Sequence, residues 1–245
     1  MGVTDTQVAS DMYDKTVEIV VGSGDNVRTF LVHDGALCFY SGYFTVALHG
    51  SFSESDSGRI VLATEDPDIF NLFRHWLYTR KLPEFNIFGP TAKEEISSLC
   101  HLHTFADRRQ IPLLMNMTLN KIKQKAALWC DCFPLHLAQL IYENTTTKSG
   151  LRRMFIRILS LAHDSPEHLL CDKDRDKWPS EAVWDLIHAG FDKTSVDGNL
   201  KMRKLNVCLY HCHEDGVSCT IPGTKRKFQE LADGKYVPPP GREWY

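Results

Sequence analysis

Every β-rich run read in this 245-residue chain lies within its first 64 residues: TVEIVVG at 16–22, VRTFLV at 27–32 and RIVLAT at 59–64. The first two are separated by SGDN, whose Gly, Asp and Asn favour a tight turn, so they predict a hairpin. The third predicts one more strand. Beyond it, apolar residues recur at helical spacing. A sheet this small must be covered by helices, which fixes the fold class as α+β.

The helices can be placed from the sequence. From Asp34 the pattern turns helical, with Leu37, Ser41 and Phe44 on one side and Val46 to Leu48 following. Asp66-Pro67 combines an acceptor at the N-cap with proline at the first helical position, and Ile69, Phe70, Phe73, Trp76 and Leu77 follow as a wide apolar face. A helix over about 92–109 carries Ile96, Leu99, His103 and Ala106 on its inner side, and Pro112 opens another with Leu114, Met117 and Ile122. Residues 13–123 thus read as a small mixed unit.

Residues 126–205 read as helical throughout. In LRRMFIRILSLAH, Leu151, Met154, Phe155, Ile158, Leu159 and Ala162 fall on one face, while Arg152, Arg153 and Arg157 take the other. Further helices are predicted around 134–143 and 181–189, the latter ending near Gly190. The domain plan is a flexible N-terminus at 1–12, a mixed domain at 13–123 and a helical domain at 126–215. A disordered tail follows at 221–245, poor in aliphatics and holding three consecutive prolines.

Composition narrows the function classes. Net charge is −3, which supplies no global basic surface for nucleic acid or anionic lipid. No stretch approaches the roughly 18 apolar residues that span a bilayer. The N-terminal stretch lacks a secretory pattern, so the expected location is cytoplasmic or nuclear, and the eight cysteines are expected as thiols or metal ligands. Met1-Gly2 with Thr6 fits a loose myristoylation pattern that is common by chance. Cys38 and Cys100 look like small core residues. Gly22-Ser23-Gly24 follows a strand, but Val27 replaces the third glycine of a dinucleotide fingerprint and a strand follows instead of a helix. No hydrolase elbow, Walker loop, H-E-x-x-H or kinase set occurs, so the chain is expected not to be an enzyme. His101 and His103 face different directions on one helix, and His33 reads as a packed residue orienting the helix after it.

The first domain resembles the BTB (POZ) family. The resemblance rests on F-x-x-H-x-x-x-L-x-x-x-S-x-x-F at Phe30, His33, Leu37, Ser41 and Phe44, then Leu48, Gly50, Phe52, Glu54 and Ser55. It continues through IVL at 60–62, Asp66-Pro67 with Phe70, W-L-Y-T at 76–79 and F-A-D-R-R-Q-I-P-x-L at 105–114. The second domain is similar to the helical region that follows the BTB domain in many filamentous-fungal proteins, with Y-E-N-T at 142–145 and L-R-R at 151–153 as landmarks. The resemblance implies a small sheet capped by helices, an all-α companion, homodimerisation and a role as an interaction adaptor without a cofactor. Two-fold association would cover an apolar face that so small a unit leaves open.

Phe52 stands in the polar stretch HGSFSES and has two readings. It packs on its own domain, or, with Glu54, it forms the hydrophobic-x-glutamate element by which some members of the family grip a cullin, the scaffold of a RING ubiquitin ligase. In the second, the aromatic ring anchors in a groove and the carboxylate sets orientation and rate. The protein would then be a substrate receptor with an unknown target. The alternative is an oligomerisation scaffold in transcriptional or signalling complexes.

One stretch bears on metal. In CLYHCHEDGVSC at 208–219, Cys208, His211, His213 and Cys219 offer four ligands for a structural, tetrahedral zinc, against a plain polar closure of the helical domain. Cys130-x-Cys132 offers two further thiols that could in principle join this set. Lys225-Arg226-Lys227 with Phe228 is a small basic cluster in the tail, read as solvated or as a weak import or phosphate-contacting segment, so nucleic acid is not an expected partner, nor is a membrane.

Overall fold

The structure is a computed structural model that describes residues 12–50, 58–82, 92–127, 136–163, 169–170, 176, 178–190 and 198–213. The N-terminal extension expected at 1–12, apart from the buried Met12, and the tail at 221–245 lie outside the described residues. Two compact units are distinguished, Met1–Lys81 with Arg108–Ile111 and His213–Tyr245, and Leu82–Asp107 with Pro112–Cys212. The helices expected near 92–109 and after Pro112 therefore group with the second unit, apart from Arg108 and Arg109.

In the first unit, β1 (Thr16–Val21) is the central strand of a three-stranded sheet of order β2-β1-β3. It pairs antiparallel with β2 (Arg28–His33) and parallel with β3 (Arg59–Leu62), Glu18 standing opposite both Leu31 and Arg59. The inward face carries Val17, Ile19, Val21, Phe30, Val32, Ile60 and Leu62, all buried, as period-2 alternation requires. Gly22 has φ 96°, and a Cβ there would lie 1.9 Å from the Asn26 carbonyl oxygen, so only glycine closes this turn.

The sequence predicts continuous helical pattern from Asp34 to Leu48. The structure divides it into α1 (Asp34–Tyr40) and α2 (Gly42–His49) at the buried Ser41. Ser41 takes an extended backbone, its Oγ accepts from Phe44 N at 3.1 Å and donates to Arg109 O at 2.6 Å. A serine that caps a new helix and ties down a distant carbonyl competes with helix continuation. Helix α3 (Pro67–Thr79) starts as predicted, the Asp66 side chain accepting from Asp68 N at 2.7 Å. Its Phe70, Phe73 and Trp76 join Phe30 and Phe44 in a fully buried aromatic layer, with Phe30 to Phe70 at 4.8 Å and Phe44 stacked on Phe73 at 6.2 Å. Truncating any one of these to alanine costs about 3–5 kcal/mol.

The second unit contains α4 (Ala92–Arg108), α5 (Pro112–Ala126), α6 (Leu137–Glu143), α7 (Gly150–Ala162), α8 (Ser180–Ala189) and α9 (Gly198–Arg203), then a 3-10 turn at Val207–Tyr210. Helix α4 begins in this unit and ends at Arg108. The core gathers Leu99 and Cys100, Leu119 and Ile122, Ile141, and the α7 stripe Leu151, Met154, Phe155, Ile158 and Leu159. One residue departs from the amphipathic reading: Arg152, expected on the outer face, is 6% exposed. Its guanidinium bonds the carbonyls of Tyr142 and Thr145, Thr145 Oγ1 at 3.0 Å and Glu181 at 2.8 Å. These carbonyls stand at the end of α6, where no helical partner remains for them, and the cation meets that need.

Candidate functional site

The loop between α2 and β3 is bracketed by Gly50 and Gly58, so Phe52 and Glu54 lie outside the described residues, as does Cys219. The motif residues around that loop can be placed. Phe30, Leu37, Ser41, Phe44, Leu48 and Phe70 are buried. His33 is held by the hydroxyl of Tyr78, which accepts from the His33 backbone N–H at 3.1 Å and meets Nδ1 at 2.9 Å. Tyr13 packs edge-on against the same ring at 5.2 Å. His33 is thus a packed residue immediately before α1.

Three of the four residues expected to hold zinc are described, and they converge. Cys208, His211 and His213 each bring one ligand atom within 4.8 Å of the others. A tetrahedral zinc with bonds of about 2.0–2.3 Å separates its ligand atoms by about 3.3–3.8 Å, so modest side-chain adjustment would close the trio. The segment is built for a fixed conformation. Asn206 caps the 3-10 turn, accepting from Cys208 N at 3.2 Å. From α5, Asn116 takes Cys212 N at 2.8 Å and gives to Cys212 O at 3.0 Å. One turn further along, Asn120 Oδ1 lies 3.1 Å from His211 Nε2, a contact of the kind that sets ring orientation in metal sites.

A second group went unread in the sequence. Asp34, Cys38 and His49 also bring ligand atoms within 4.8 Å of one another. Asp34 Oδ1 accepts from Cys38 Sγ at 3.2 Å and meets His49 Nε2 at 3.1 Å, while Lys15 Nζ lies 3.6 Å from Oδ2. Burial, then the hydrogen bond and charge of Asp34, push the Cys38 thiol well above its ordinary pKa, so Cys38 is a neutral thiol and not a nucleophile. The expectation that Cys38 is a plain core residue gives way to a polar setting. Cys100 is buried as expected. Asp34 and Cys38 stand four apart on α1, a same-face spacing visible in the sequence, but only the fold brings His49 to them.

His101 is exposed and His103 buried, with His103 Nδ1 at 2.9 Å from Thr118 Oγ1, so the two do not converge. Apolar side chains that face outward are the remaining feature of the first unit. Tyr13 is 47% exposed and Val46 55%, and Leu31 and Val61 stand on the outer face of the sheet with Glu18 and Arg59. No helix among the described residues is long and apolar enough to cross a membrane. Comparison with models of known protein families and with curated proteins finds no match to this chain.

Proposed function

We propose that this chain is a protein–protein interaction module of the BTB (POZ) type, a self-associating adaptor and not a catalyst. The observation that carries this reading is the set of large apolar side chains that the first unit presents outward, Leu31, Val61, Val46 and Tyr13 among them. A unit built on so small a sheet gains by covering such residues with another protein surface. Two further observations support it. Among the described residues shared with the family pattern, Phe30, Leu37, Ser41, Phe44, Leu48 and Phe70 are buried and His33 is held by Tyr78, and the hairpin, two short helices, third strand and helix come in the order in which those motifs run.

The sharpest form of the proposal is a substrate receptor for a cullin-RING ubiquitin ligase, with Phe52 as anchor and Glu54 as orienting charge, and the helical region capturing the target. The alternative is an oligomerisation scaffold without a ligase role. A titration of the full chain against the N-terminal region of a BTB-binding cullin separates them. Saturable binding that is lost in a folded Phe52→Ala, Glu54→Lys variant supports the receptor; no binding by the unaltered chain leaves the scaffold.

A structural zinc held by Cys208, His211 and His213, with Cys219 as fourth ligand, is a second proposal, favoured by the convergence of the first three. Such a site would fix the end of the helical region and supply folding free energy. Metal analysis of chain purified without chelator should find one zinc that Cys208→Ser removes. A metal content unaffected by that substitution would dismiss it.

A further inference from the structure

We propose that Asp34, Cys38 and His49 form a binding site for a zinc-class divalent ion in the first unit, independent of the cluster at 208–213 and of the adaptor reading. The donors are a carboxylate, a thiol and an imidazole, the set that selects borderline metals such as Zn²⁺ or Co²⁺ over the oxygen-seeking Mg²⁺ and Ca²⁺. All three ligand atoms lie within 4.8 Å of one another. They also share one point in space, since Asp34 Oδ1 is the oxygen that both Cys38 Sγ and His49 Nε2 approach. An ion placed among the three replaces those two hydrogen bonds with metal bonds.

The charges balance. On binding, the Cys38 thiol gives its proton to solvent, and thiolate plus carboxylate neutralise the dication while the imidazole binds as the neutral base. A neutral assembly suits the setting, because the Asp34 side chain is only 7% exposed and an uncompensated charge there is costly. Lys15 now stands against the carboxylate, but its side chain is 67% exposed and can turn to water at the small cost of losing a surface ion pair. His49, at 54% side-chain exposure, provides the way in and the side on which a water completes the tetrahedron.

The site joins the start of α1 to the last residue of α2. The loop with Phe52 and Glu54 follows His49 in the sequence directly, so an ion here would fix the point from which that loop departs.

The test is Co²⁺ binding to the full chain in which Cys208→Ser, His211→Ala and His213→Ala have removed the other cluster. Cobalt held by a thiolate gives a near-ultraviolet charge-transfer band and tetrahedral visible bands, and Zn²⁺ should displace it. The expected result is one equivalent of Co²⁺ with those bands. Further substitution His49→Ala should weaken it at least about tenfold, since even outer partners of a metal ligand are worth that much, and Cys38→Ser should abolish the charge-transfer band. His49 is half exposed, so its removal leaves the fold intact, as circular dichroism will verify, and this variant decides the matter even if Cys38→Ser fails to fold. If the triple substitution itself unfolds the chain, the same His49→Ala comparison in the unaltered protein reads as loss of one equivalent. An absence of cobalt bands, or an affinity unmoved by His49→Ala, overturns the site and leaves a hydrogen-bonded clamp.

Discussion

Arg108 grips the buried Glu65 through two parallel hydrogen bonds, Nε to Oε1 at 3.1 Å and Nη2 to Oε2 at 2.8 Å. Arg109 adds a third to Oε1 at 2.9 Å. The Glu65 side chain is almost wholly buried, and its removal would take away the carboxylate that both guanidinium groups share, so Glu65→Ala should lower stability by about 3 kcal/mol. Urea unfolding of the variant measures this. Glu65→Gln keeps an acceptor and should fall between the two. A loss below about 1 kcal/mol would mean that the triad behaves as an exposed surface pair.

Arg152 is the helical unit's counterpart. It joins the Y-E-N-T stretch to the L-R-R stretch, through the carbonyls of Tyr142 and Thr145, and it stacks on the Tyr142 ring at 4.4 Å. Arg152→Met keeps the stem but strands those acceptors, with an expected loss of about 3 kcal/mol in chemical denaturation. Arg152→Lys should restore little, because a point ammonium cannot reach the same acceptors as a planar fork. Glu181, the exposed partner, should be nearly dispensable: Glu181→Ala is expected to cost under about 1 kcal/mol.

Burial lowers the pKa of His103 to about 4 from 6.5, outweighing an opposing backbone hydrogen bond at Met115. The unfolded chain takes up a proton near the ordinary value and the folded chain resists until the lower one. Stability from this residue is therefore complete above the unfolded value and is lost as pH falls from 6.5 to 4. The full span is worth about 3 kcal/mol. Denaturation midpoints followed across that window should decline more steeply for the unaltered chain than for His103→Gln, whatever the variant's absolute stability. Parallel slopes would show that His103 titrates normally.

The strands and most helix starts were legible because they rest on local rules: alternation for β1 to β3, Asp66-Pro67 for α3, and proline for α5. Ser41 was legible only through its spacing on the helical face, and its role in splitting α1 from α2 depends on the carbonyl of Arg109, far away in the chain. Arg152 misled for the same reason. Charge and helical spacing put it outside, whereas carbonyl groups at the end of another helix draw it in. The Cys208, His211 and His213 cluster could be read because its members are close in sequence. The Asp34, Cys38 and His49 group could not, since the third donor is supplied by the turn between helices.

The proposed self-association can be tested on two surfaces of the first unit. Val46 lies one turn before His49 on α2, His49 reaches Asp34, Lys15 pairs with Asp34 and Tyr13 packs on His33, so a chain of contacts through polar side chains leads from Val46 towards Tyr13. Leu31 and Val61 belong to the outer face of the sheet, where the Glu18 and Arg59 ion pair at 2.9 Å interrupts the apolar surface. Both sides carry paired charges, and the dimer is placed on the Tyr13 and Val46 side as the hypothesis under test. Light scattering of the full chain at micromolar concentration should give a mass near twice 28.0 kDa. Tyr13→Glu with Val46→Glu should weaken the dimer at least about a hundredfold, since a two-fold interface counts each substitution twice and each buried apolar side chain is worth about 1.5–3 kcal/mol. Leu31→Glu with Val61→Glu should leave the dimer intact. All four side chains point outward, so a monomeric reading for the first pair comes from the interface and not from a damaged core. Dissociation by the second pair alone would move the interface to the sheet, and a monomeric unaltered chain would remove self-association from the proposed function.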